Sequence, residues 1–163
     1  MAIIAFSKVD LPYGWLGNMS PFPITFEEKI WKTSEALFQA LRFDNEKIRE
    51  ELRLQLSPMG AKMKAKTYRN SLSIVPCSDQ DVENMKVCLK LKFTQHTELR
   101  EKLLRTGDHT IVEDLVKRRG DRHLFWGAYK SIDNEWVGKN TLGLLLMSLR
   151  TELKSGINSN LAP

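Results

Sequence analysis

The sequence predicts a mainly α-helical single domain with a small β-hairpin element near the N-terminus. Apolar residues recur at helical spacing through most of the chain, whereas strand-like alternation is confined to residues 2–31. No internal repeat, low-complexity tract or Gly/Ser linker divides the 163 residues. A chain of this length buries about two-thirds of its unfolded surface in one domain. We therefore expect a single domain over residues 1–155 and a flexible C-terminal tail over residues 156–163.

The strand candidates lie at the N-terminus. The segment AIIAF, residues 2–6, is a short apolar run that predicts a strand. The segment ITFEEKIW, residues 24–31, alternates apolar residues around a charged turn, which predicts a small hairpin. Between them lies the aromatic, glycine-containing segment GWLGNMSPFPI, residues 14–24, which has neither a helical nor a strand period. We predict a loop there.

After the hairpin the apolar period becomes that of a helix. Residues 34–43 place apolar side chains on one face, and this pattern continues through Ile48, Leu52 and Leu56. The pair Ser57–Pro58 supplies a hydroxyl cap followed by a proline at the first helical position. The pair predicts that a new, short helix begins here.

Three more helices are predicted in the second half of the chain. Ser78 and Asp81 resemble a capping box before a helix over residues 79–94. The apolar stripe of this helix consists of Val82, Met85, Leu89 and Phe93. The segment TELREKLLRTG, residues 97–107, forms another helix that a glycine closes. The last helix, residues 141–153, carries a leucine stripe and also stops at a glycine.

Composition and charge narrow the class of protein. Cys77 and Cys88 have no repeated spacing and the N-terminus has no secretion signal, so we expect the reducing cytoplasm. No window approaches the ~20 apolar residues of a membrane span, so we expect no membrane partner. The chain has 25 Lys and Arg against 20 Asp and Glu, a net charge of +5. This surplus suits a phosphate-bearing partner, although many basic cytosolic proteins bind no nucleic acid.

Glu35 and Gln39 form the first candidate constellation. Glu35 lies in the first turn of a predicted helix, where the helix dipole alone stabilises a carboxylate by ~0.3 to 1 kcal/mol. Gln39, one turn later, shares the same face, so the pair can present an acceptor and an amide to one ligand. The residues alone leave both the structural and the functional interpretation open.

The segment RGDRHLFWGAYKSIDNEWVGKNTLG, residues 119–143, is the second candidate. It has little helical or strand period, yet it concentrates charge, tryptophan and glycine just before the last helix. Asn140 can cap that helix. The same helix N-terminus, with Lys139 beside it, would equally suit an anion such as a phosphate.

A basic run and three histidines complete the survey. Lys62 belongs to the basic run AKMKAKTYR, residues 61–69. The default interpretation is that these side chains form a solvated helix face. The functional interpretation is that one or two of them bind a phosphate. None of His96, His109 and His123 has a partner at metal-ligand spacing, so we predict no metal. No Walker loop, GxSxG or GxGxxG is found in the sequence, and no cofactor is predicted.

Six segments together resemble the NADAR domain family, also called YbiA-like. In chain order they are YGWLGNMSPFPI, TSEALFQALRF, SPMGAK, LKLKFTQHTELREKLLRTGDHTIVE, FWG and GKNTLGLLLMSLR. The resemblance implies a single, mainly α-helical YbiA-like domain that binds or cleaves N-ribosides related to NAD and ADP-ribose. Some members are N-glycosidases of phosphorylated riboflavin-pathway intermediates, and others remove ADP-ribose from guanine bases in nucleic acid.

The resemblance, taken with the constellations above, implies a set of site residues. The catalytic candidates are Glu35, Asp121 and Trp126. The substrate-binding candidates are Trp15, Gly17, Asn18, Gln39, Lys62, His123, Gly127, Lys139 and Asn140. In this scheme Glu35 stabilises the positive charge that develops at the anomeric carbon, and Trp126 with Asp121 or His123 assists the leaving nitrogen. Lys62 and the N-terminus of the last helix hold a phosphate.

The expected partner is a small-molecule phosphorylated riboside or an ADP-ribose derivative, and the resemblance also allows ADP-ribosylated nucleic acid. A non-catalytic module that binds ADP-ribose or an NAD derivative is the alternative. It is favoured by departures from the family pattern at Cys77, Asp81 and His123. A general nucleic-acid binder rests on the charge alone and ranks last.

Overall fold

The computed structural model describes residues 2–156. These residues form two compact units. The first, the terminal unit, consists of residues 2–17 and 97–156; the second, the central unit, consists of residues 18–96. The single-domain boundaries stay a prediction, and all but the first residue of the predicted tail, residues 156–163, lies outside the described residues.

The described residues contain seven α-helices and six short strands. The helices are α1 (Ser34–Leu41), α2 (Glu46–Arg53), α3 (Pro58–Thr67), α4 (Asp79–Gln95), α5 (Thr97–Arg105), α6 (Asp121–Trp126) and α7 (Thr141–Ser155). The strands are β1 (Ile3–Phe6), β2 (Ile24–Phe26), β3 (Lys29–Trp31), β4 (Thr110–Glu113), β5 (Tyr129–Lys130) and β6 (Trp136–Val137). Single turns of 3-10 helix lie at Gly14–Leu16 and Arg69–Ser71. No described helix has the length and apolarity that crossing a membrane requires.

Helices dominate as expected, but the fold is mixed α/β. The predicted N-terminal strand and hairpin are confirmed as β1 and as the antiparallel pair β2–β3. Strands also occur outside the N-terminal region: β1 pairs with β4 in parallel, with Ile3 opposite Thr110, and β5 pairs with β6. A parallel partner so far along the chain has no local signal in the sequence.

In the central unit, α1 packs against α2, α3 and α4 and is buried along almost its whole length. The Thr33 hydroxyl caps α1 by accepting a hydrogen bond from the Ala36 amide at 3.1 Å. The predicted Ser57–Pro58 start of α3 is confirmed, with the Ser57 hydroxyl 2.9 Å from the Gly60 amide. Caps of this kind satisfy amides that the first helical turn leaves without a partner.

The predicted continuation of the helical stripe to Leu56 is wrong. Helix α2 buries Ile48 and Leu52 but ends at Arg53, and Leu56 is 91% exposed. The reason is local: the residue before a proline is disfavoured in the helical region, and Ser57 adopts φ −139° and ψ 157°. The helix therefore has to end before α3 begins.

Helix α4 is confirmed, but its buried face differs from the predicted stripe. Val82 is only half-buried, whereas Met85, Leu89 and Phe93 are buried as expected. Lys92, a charged residue, is fully buried on the same helix. The Ser78 hydroxyl accepts from the Asp81 amide at 3.3 Å, the first half of the predicted capping box, whereas the Asp81 carboxylate accepts from the Cys77 amide and the Ser78 amide donates to the Val75 carbonyl.

In the terminal unit, α7 packs against β4, α5 and α6. Its buried leucines are Leu142, Leu146, Leu149 and Leu153, and Leu145 is half-buried. Gly156 ends the helix in the left-handed conformation, φ 75°, and its amide donates to the Leu153 carbonyl, which confirms the predicted stop.

The region of residues 119–143, predicted to lack regular structure, contains the short helix α6 and the hairpin β5–β6. These elements are six and two residues long, shorter than the window over which apolar periodicity can be recognised. The side chains of residues 119–143 are therefore positioned by regular secondary structure in this region.

Candidate active site

Glu35 lies in the first turn of α1, and hydrogen bonds with two neighbours, Asn18 and Gln39, fix its position. Its amide donates to the Asn18 carbonyl at 3.1 Å, and its side chain is 9% exposed. The Gln39 amide nitrogen donates to Glu35 Oε1 at 2.9 Å. In the part of the chain that the structure describes, no side chain or backbone group donates to the other carboxylate oxygen. One oxygen of Glu35 is thus held while the other stays available to a water or ligand.

The predicted sharing of one helix face by Glu35 and Gln39 is confirmed by this hydrogen bond. Gln39 is 7% exposed, so its amide is almost as buried as the carboxylate. A hydrogen bond to a charged acceptor is roughly twice as strong as a neutral one, and it fixes the rotamer of the acceptor. The pair therefore presents a carboxylate in one defined orientation.

Asn18 is joined to the same helical turn. Its Oδ1 accepts from the Ser34 hydroxyl at 2.9 Å, and its Nδ2 donates to Met85 Sδ at 3.0 Å. With its carbonyl bonded to the Glu35 amide, Asn18 ties the segment before the hairpin to both α1 and α4. Its contact with substrate stays a prediction.

Cys88 on α4 is a buried thiol near this carboxylate. Burial raises the pKa of Cys88, and the negative charges of Glu35 and then Asp81 raise it further. A thiol of this kind stays protonated and is a poor nucleophile. The Cys88 thiol is therefore no candidate for a nucleophile.

A buried ion pair supports the other end of α1. Arg42 makes two hydrogen bonds of 2.9 Å to Asp81, and the Cys77 amide donates to the same carboxylate at 2.8 Å. The guanidinium carbon also lies 4.6 Å from the centroid of the Phe38 ring. Sequence reasoning missed this pair because Arg42, directly after α1, and Asp81 on α4 are 39 residues apart in the chain.

Lys62 lies on α3, the helix that packs against α1, and is half-buried. Among the described residues it forms no ion pair, whereas Lys64 on the same helix lies 3.9 Å from Glu51. A half-buried ammonium without a carboxylate partner can receive a phosphate. The role of Lys62 in binding a phosphate stays a prediction.

In the terminal unit, Trp15 and Gly17 lie at the 3-10 turn Gly14–Leu16. Trp15 is half-buried, and the Lys102 ammonium lies 5.8 Å from its ring centroid. The Gly17 amide donates to the Gly14 carbonyl at 3.0 Å. Gly17 has a φ of −81°, so backbone conformation does not require a glycine there.

Helix α6 carries three of the predicted residues. Asp121 is exposed at its start, while His123 and Trp126 are half-buried. The Trp126 ring meets Phe125 edge to face with centroids 5.0 Å apart, and the Lys139 ammonium lies 5.4 Å from the Phe125 ring. Trp126 and Lys139 thus both lie in contact with Phe125 in the terminal unit.

The predicted cap by Asn140 is wrong. Asn140 has a left-handed backbone, φ 52°, and makes no capping hydrogen bond to α7. Its side chain instead bonds β4: Nδ2 donates to the Ile111 carbonyl at 2.9 Å, and Oδ1 accepts from the Glu113 amide at 3.0 Å. The Asn140 amide donates to the Gly127 carbonyl at 3.1 Å. Asn140 is therefore a clamp between β4 and the start of α7.

Gly127 owes its identity to packing. A Cβ at this position would lie 2.6 Å from the Glu113 carbonyl oxygen and 2.7 Å from a Leu115 methyl group. Because both distances are below van der Waals contact, only glycine fits without displacement. Among residues 2–156, no cluster of His, Cys, Asp and Glu side chains could hold a metal ion.

Comparison with known proteins places the chain among enzymes. Residues 5–154 match the NADAR domain. The N-glycosidase YbiA of Escherichia coli (strain K12) is 37% identical over 153 residues, which are 93% of this chain and 88% of the relative. The N-glycosidase Npun_R5314 of Nostoc punctiforme is 30% identical over 161 residues, 93% of each protein. The riboflavin biosynthesis protein VVA0006 of Vibrio vulnificus is 32% identical over 97% of this chain and 40% of that protein.

The NMR structure of the E. coli protein YbiA has the same fold. It matches with a TM-score of 0.78 and 35% identity over 96% of this chain and 87% of that one. These similarities confirm the expected class of protein, an N-glycosidase enzyme. The chain belongs to the NADAR domain family.

Proposed function

We propose that this chain hydrolyses the N-glycosidic bond of a phosphorylated riboside, with Glu35 as the central catalytic group. The observation that carries the proposal is the buried Glu35 carboxylate, fixed by Gln39 and by the Asn18 carbonyl, in a chain whose relatives are named N-glycosidases. A relative named for riboflavin biosynthesis supports a phosphorylated riboside as the substrate class.

The chemistry follows from what cleavage of a ribosyl C–N bond requires. The bonding electron pair leaves with the nitrogen of the base, and positive charge develops on the anomeric carbon and ring oxygen. A carboxylate about 4 Å from that charge stabilises it by ~4 kcal/mol at an effective dielectric constant of ~20. This energy is about a thousandfold in rate, since ~1.4 kcal/mol corresponds to tenfold.

The same carboxylate can complete the reaction. Water adds to the anomeric carbon as the C–N bond breaks, and one of its protons passes to Glu35. The departing nitrogen takes up a proton from solvent, to which Glu35 then releases its own. The products are a free base and a ribose that keeps its phosphate. Gln39 serves here by holding one carboxylate oxygen, so that the other faces the water.

Lys62 is proposed to bind the phosphate. An ammonium is a point charge that can approach a phosphate from several directions, and binding the remote phosphate fixes the position of the sugar. The terminal-unit candidates, which are Trp15, Gly17, Asp121, His123, Trp126, Gly127, Lys139 and Asn140, stay predictions from the sequence. Each is testable by single replacement in the same assay.

The proposal is tested with a panel of ribosides and chromatography of the released base. A ribosylated aminopyrimidine 5-phosphate should be cleaved, and its dephosphorylated form should show a higher KM. ADP-ribose and ADP-ribosylated guanosine are included as the other substrate class. Cleavage of ADP-ribosylated guanosine alone would move the proposal to an ADP-ribosyl substrate. Binding of ADP-ribose without release of any base from the panel would establish a binding module instead.

A further inference from the structure

Lys92 is an ammonium-bearing side chain in the interior of the central unit. It is 0% exposed, and its Nζ donates to the Ser20 hydroxyl at 3.0 Å. The rings of Phe22 and Phe93 lie 5.6 and 5.2 Å from Nζ. Lysine is almost never fully buried, because removing a charged amine from water is costly. The burial of Lys92 is therefore unusual and indicates a specific structural or functional role.

The contacts of Lys92 lead to the candidate catalytic residue. Ser20 lies two residues after Asn18, and the Asn18 carbonyl accepts the hydrogen bond of the Glu35 amide. The Asn18 side chain is bonded to Met85 on α4. Met85 and Lys92 are seven residues apart on α4, so they occupy the same helix face two turns apart. The segment 18–20 is thus attached to α4 at two points and holds the first turn of α1.

We propose that Lys92 is a positioning residue of the glycosidase site, which holds segment 18–20 through Ser20 and thereby fixes the Glu35 carboxylate. This inference rests on the proposed function, because it assigns Lys92 to the site that Glu35 forms. Lys92 is no catalytic residue in this scheme: it touches neither substrate nor reacting atoms and acts through two hydrogen bonds. A shift of about 1 Å in a catalytic group can cost ~100-fold in rate.

The protonation state of the amine sets the strength of this attachment. Burial lowers the pKa of Lys92 to about 7. The buried ionisable groups of the central unit besides Lys92 are Glu35 on α1, Arg42 directly after α1, and Asp81 and Cys88 on α4. Beyond the end of α4, His96 packs edge to face against Phe22, and β2 contributes no ionisable side chain. A charged donor bonds Ser20 more strongly than a neutral one, so the attachment weakens as the pH rises through about 7.

The free energy of unfolding depends on the same protonation of Lys92, but it rises with pH where turnover falls. The pKa of Lys92 is lowered from 10.5 in the unfolded chain to about 7 in the folded protein. Between these values the unfolded chain binds the extra proton, so the free energy of unfolding rises with pH over this window and is flat below it. Turnover should therefore fall above pH 7 while the contribution of Lys92 to stability rises.

Three variants test the inference. Lys92→Met keeps the length of the side chain and removes the amine, whereas Ser20→Ala removes only the acceptor. Lys86→Met, on an exposed residue of α4 that pairs with Glu83, is the control. We expect kcat to fall ~10-fold or more in the first two variants with KM within ~3-fold, and no change in the control.

The pH profiles separate positioning from a general effect on folding. Lys92→Met should lose both the fall in kcat above pH 7 and the rise in melting temperature between pH 7 and 10. Ser20→Ala should lose the kcat dependence but keep the rise in melting temperature, because its lysine is still buried. If Lys92→Met does not fold, Ser20→Ala alone decides. Folded variants with wild-type kcat and wild-type pH profiles would overturn the inference.

Amide hydrogen exchange supplies a readout that needs no substrate. The Glu35 amide, bonded to the Asn18 carbonyl, should exchange ~10-fold or more faster in Lys92→Met and Ser20→Ala, with the last turn of α1 unchanged. If wild type cleaves no riboside, the proposed function fails while faster exchange at Glu35 still supports the positioning role. Unchanged exchange at Glu35 in both variants would refute that role, whatever the activity.

Discussion

Replacing Arg42 by methionine should be among the most destabilising changes in the central unit. The side chains of Arg42 and Asp81 are 8% and 0% exposed, and the change would leave the Asp81 carboxylate buried without its cation. Removing one member of a buried ion pair costs about 3 to 5 kcal/mol. The Cys77 amide stays bonded to Asp81, which favours the lower part of that range, and the lost contact with Phe38 adds ~0.5 to 2 kcal/mol.

The assay is urea denaturation followed by far-ultraviolet circular dichroism, with thermal melts beside it. We expect a loss of about 3 to 5 kcal/mol and a melting temperature lower by roughly 6 to 20 °C, since 1 kcal/mol corresponds to about 2 to 4 °C at this chain length. Lys64→Met, which breaks the half-exposed pair with Glu51, is the control and should cost less than ~1 kcal/mol. Equal losses from both variants, or a loss below ~1 kcal/mol from Arg42→Met, would refute the reasoning.

Three further predictions concern packing and phosphate binding. Leu146→Ala should lower the free energy of unfolding by ~2 to 5 kcal/mol in urea titrations, because Leu146 is fully buried, and a loss under ~1 kcal/mol would show that the site collapses around the cavity. Gly127→Ala should lower the melting temperature because its Cβ would overlap the Glu113 carbonyl, and an unchanged melt would contradict that packing. Lys62→Ala should raise KM more than it lowers kcat for a phosphorylated riboside, and an equal effect on the dephosphorylated substrate would mean that Lys62 does not bind the phosphate.

Local signals in the sequence predicted most of the helices of this fold. Ser57 and Pro58 determine the start of α3 by a hydroxyl cap and a fixed proline φ, and both act within one turn. Gly156 ends α7 because only a residue that tolerates positive φ can occupy that position without strain. The sequence patterns fail where an element depends on distant partners, as β4 does on β1.

In the candidate site, too, contacts within one helix were predictable from the sequence, and contacts between distant segments were not. The contact between Glu35 and Gln39 was predictable, since residues four apart on a helix share a face. The bond of Lys92 to Ser20 joins residues 72 apart in sequence, and a lysine on a helix is by default solvated. Asn140 shows the opposite case: its position predicts a cap, but its side chain has two partners on β4 that no local pattern indicates.

The central claim is that Glu35 stabilises the developing positive charge, and Glu35→Gln tests it most directly. The change keeps the shape of the side chain and removes its charge, so kcat for base release should fall ~100-fold or more, about 2.7 kcal/mol of barrier, with little change in KM. Glu46→Gln, on an exposed first-turn carboxylate of α2, is the matched control and should keep full turnover. Thermal melts confirm that both variants fold. Turnover within a few-fold of wild type in a folded Glu35→Gln protein would contradict the account and move the catalytic assignment to Asp121.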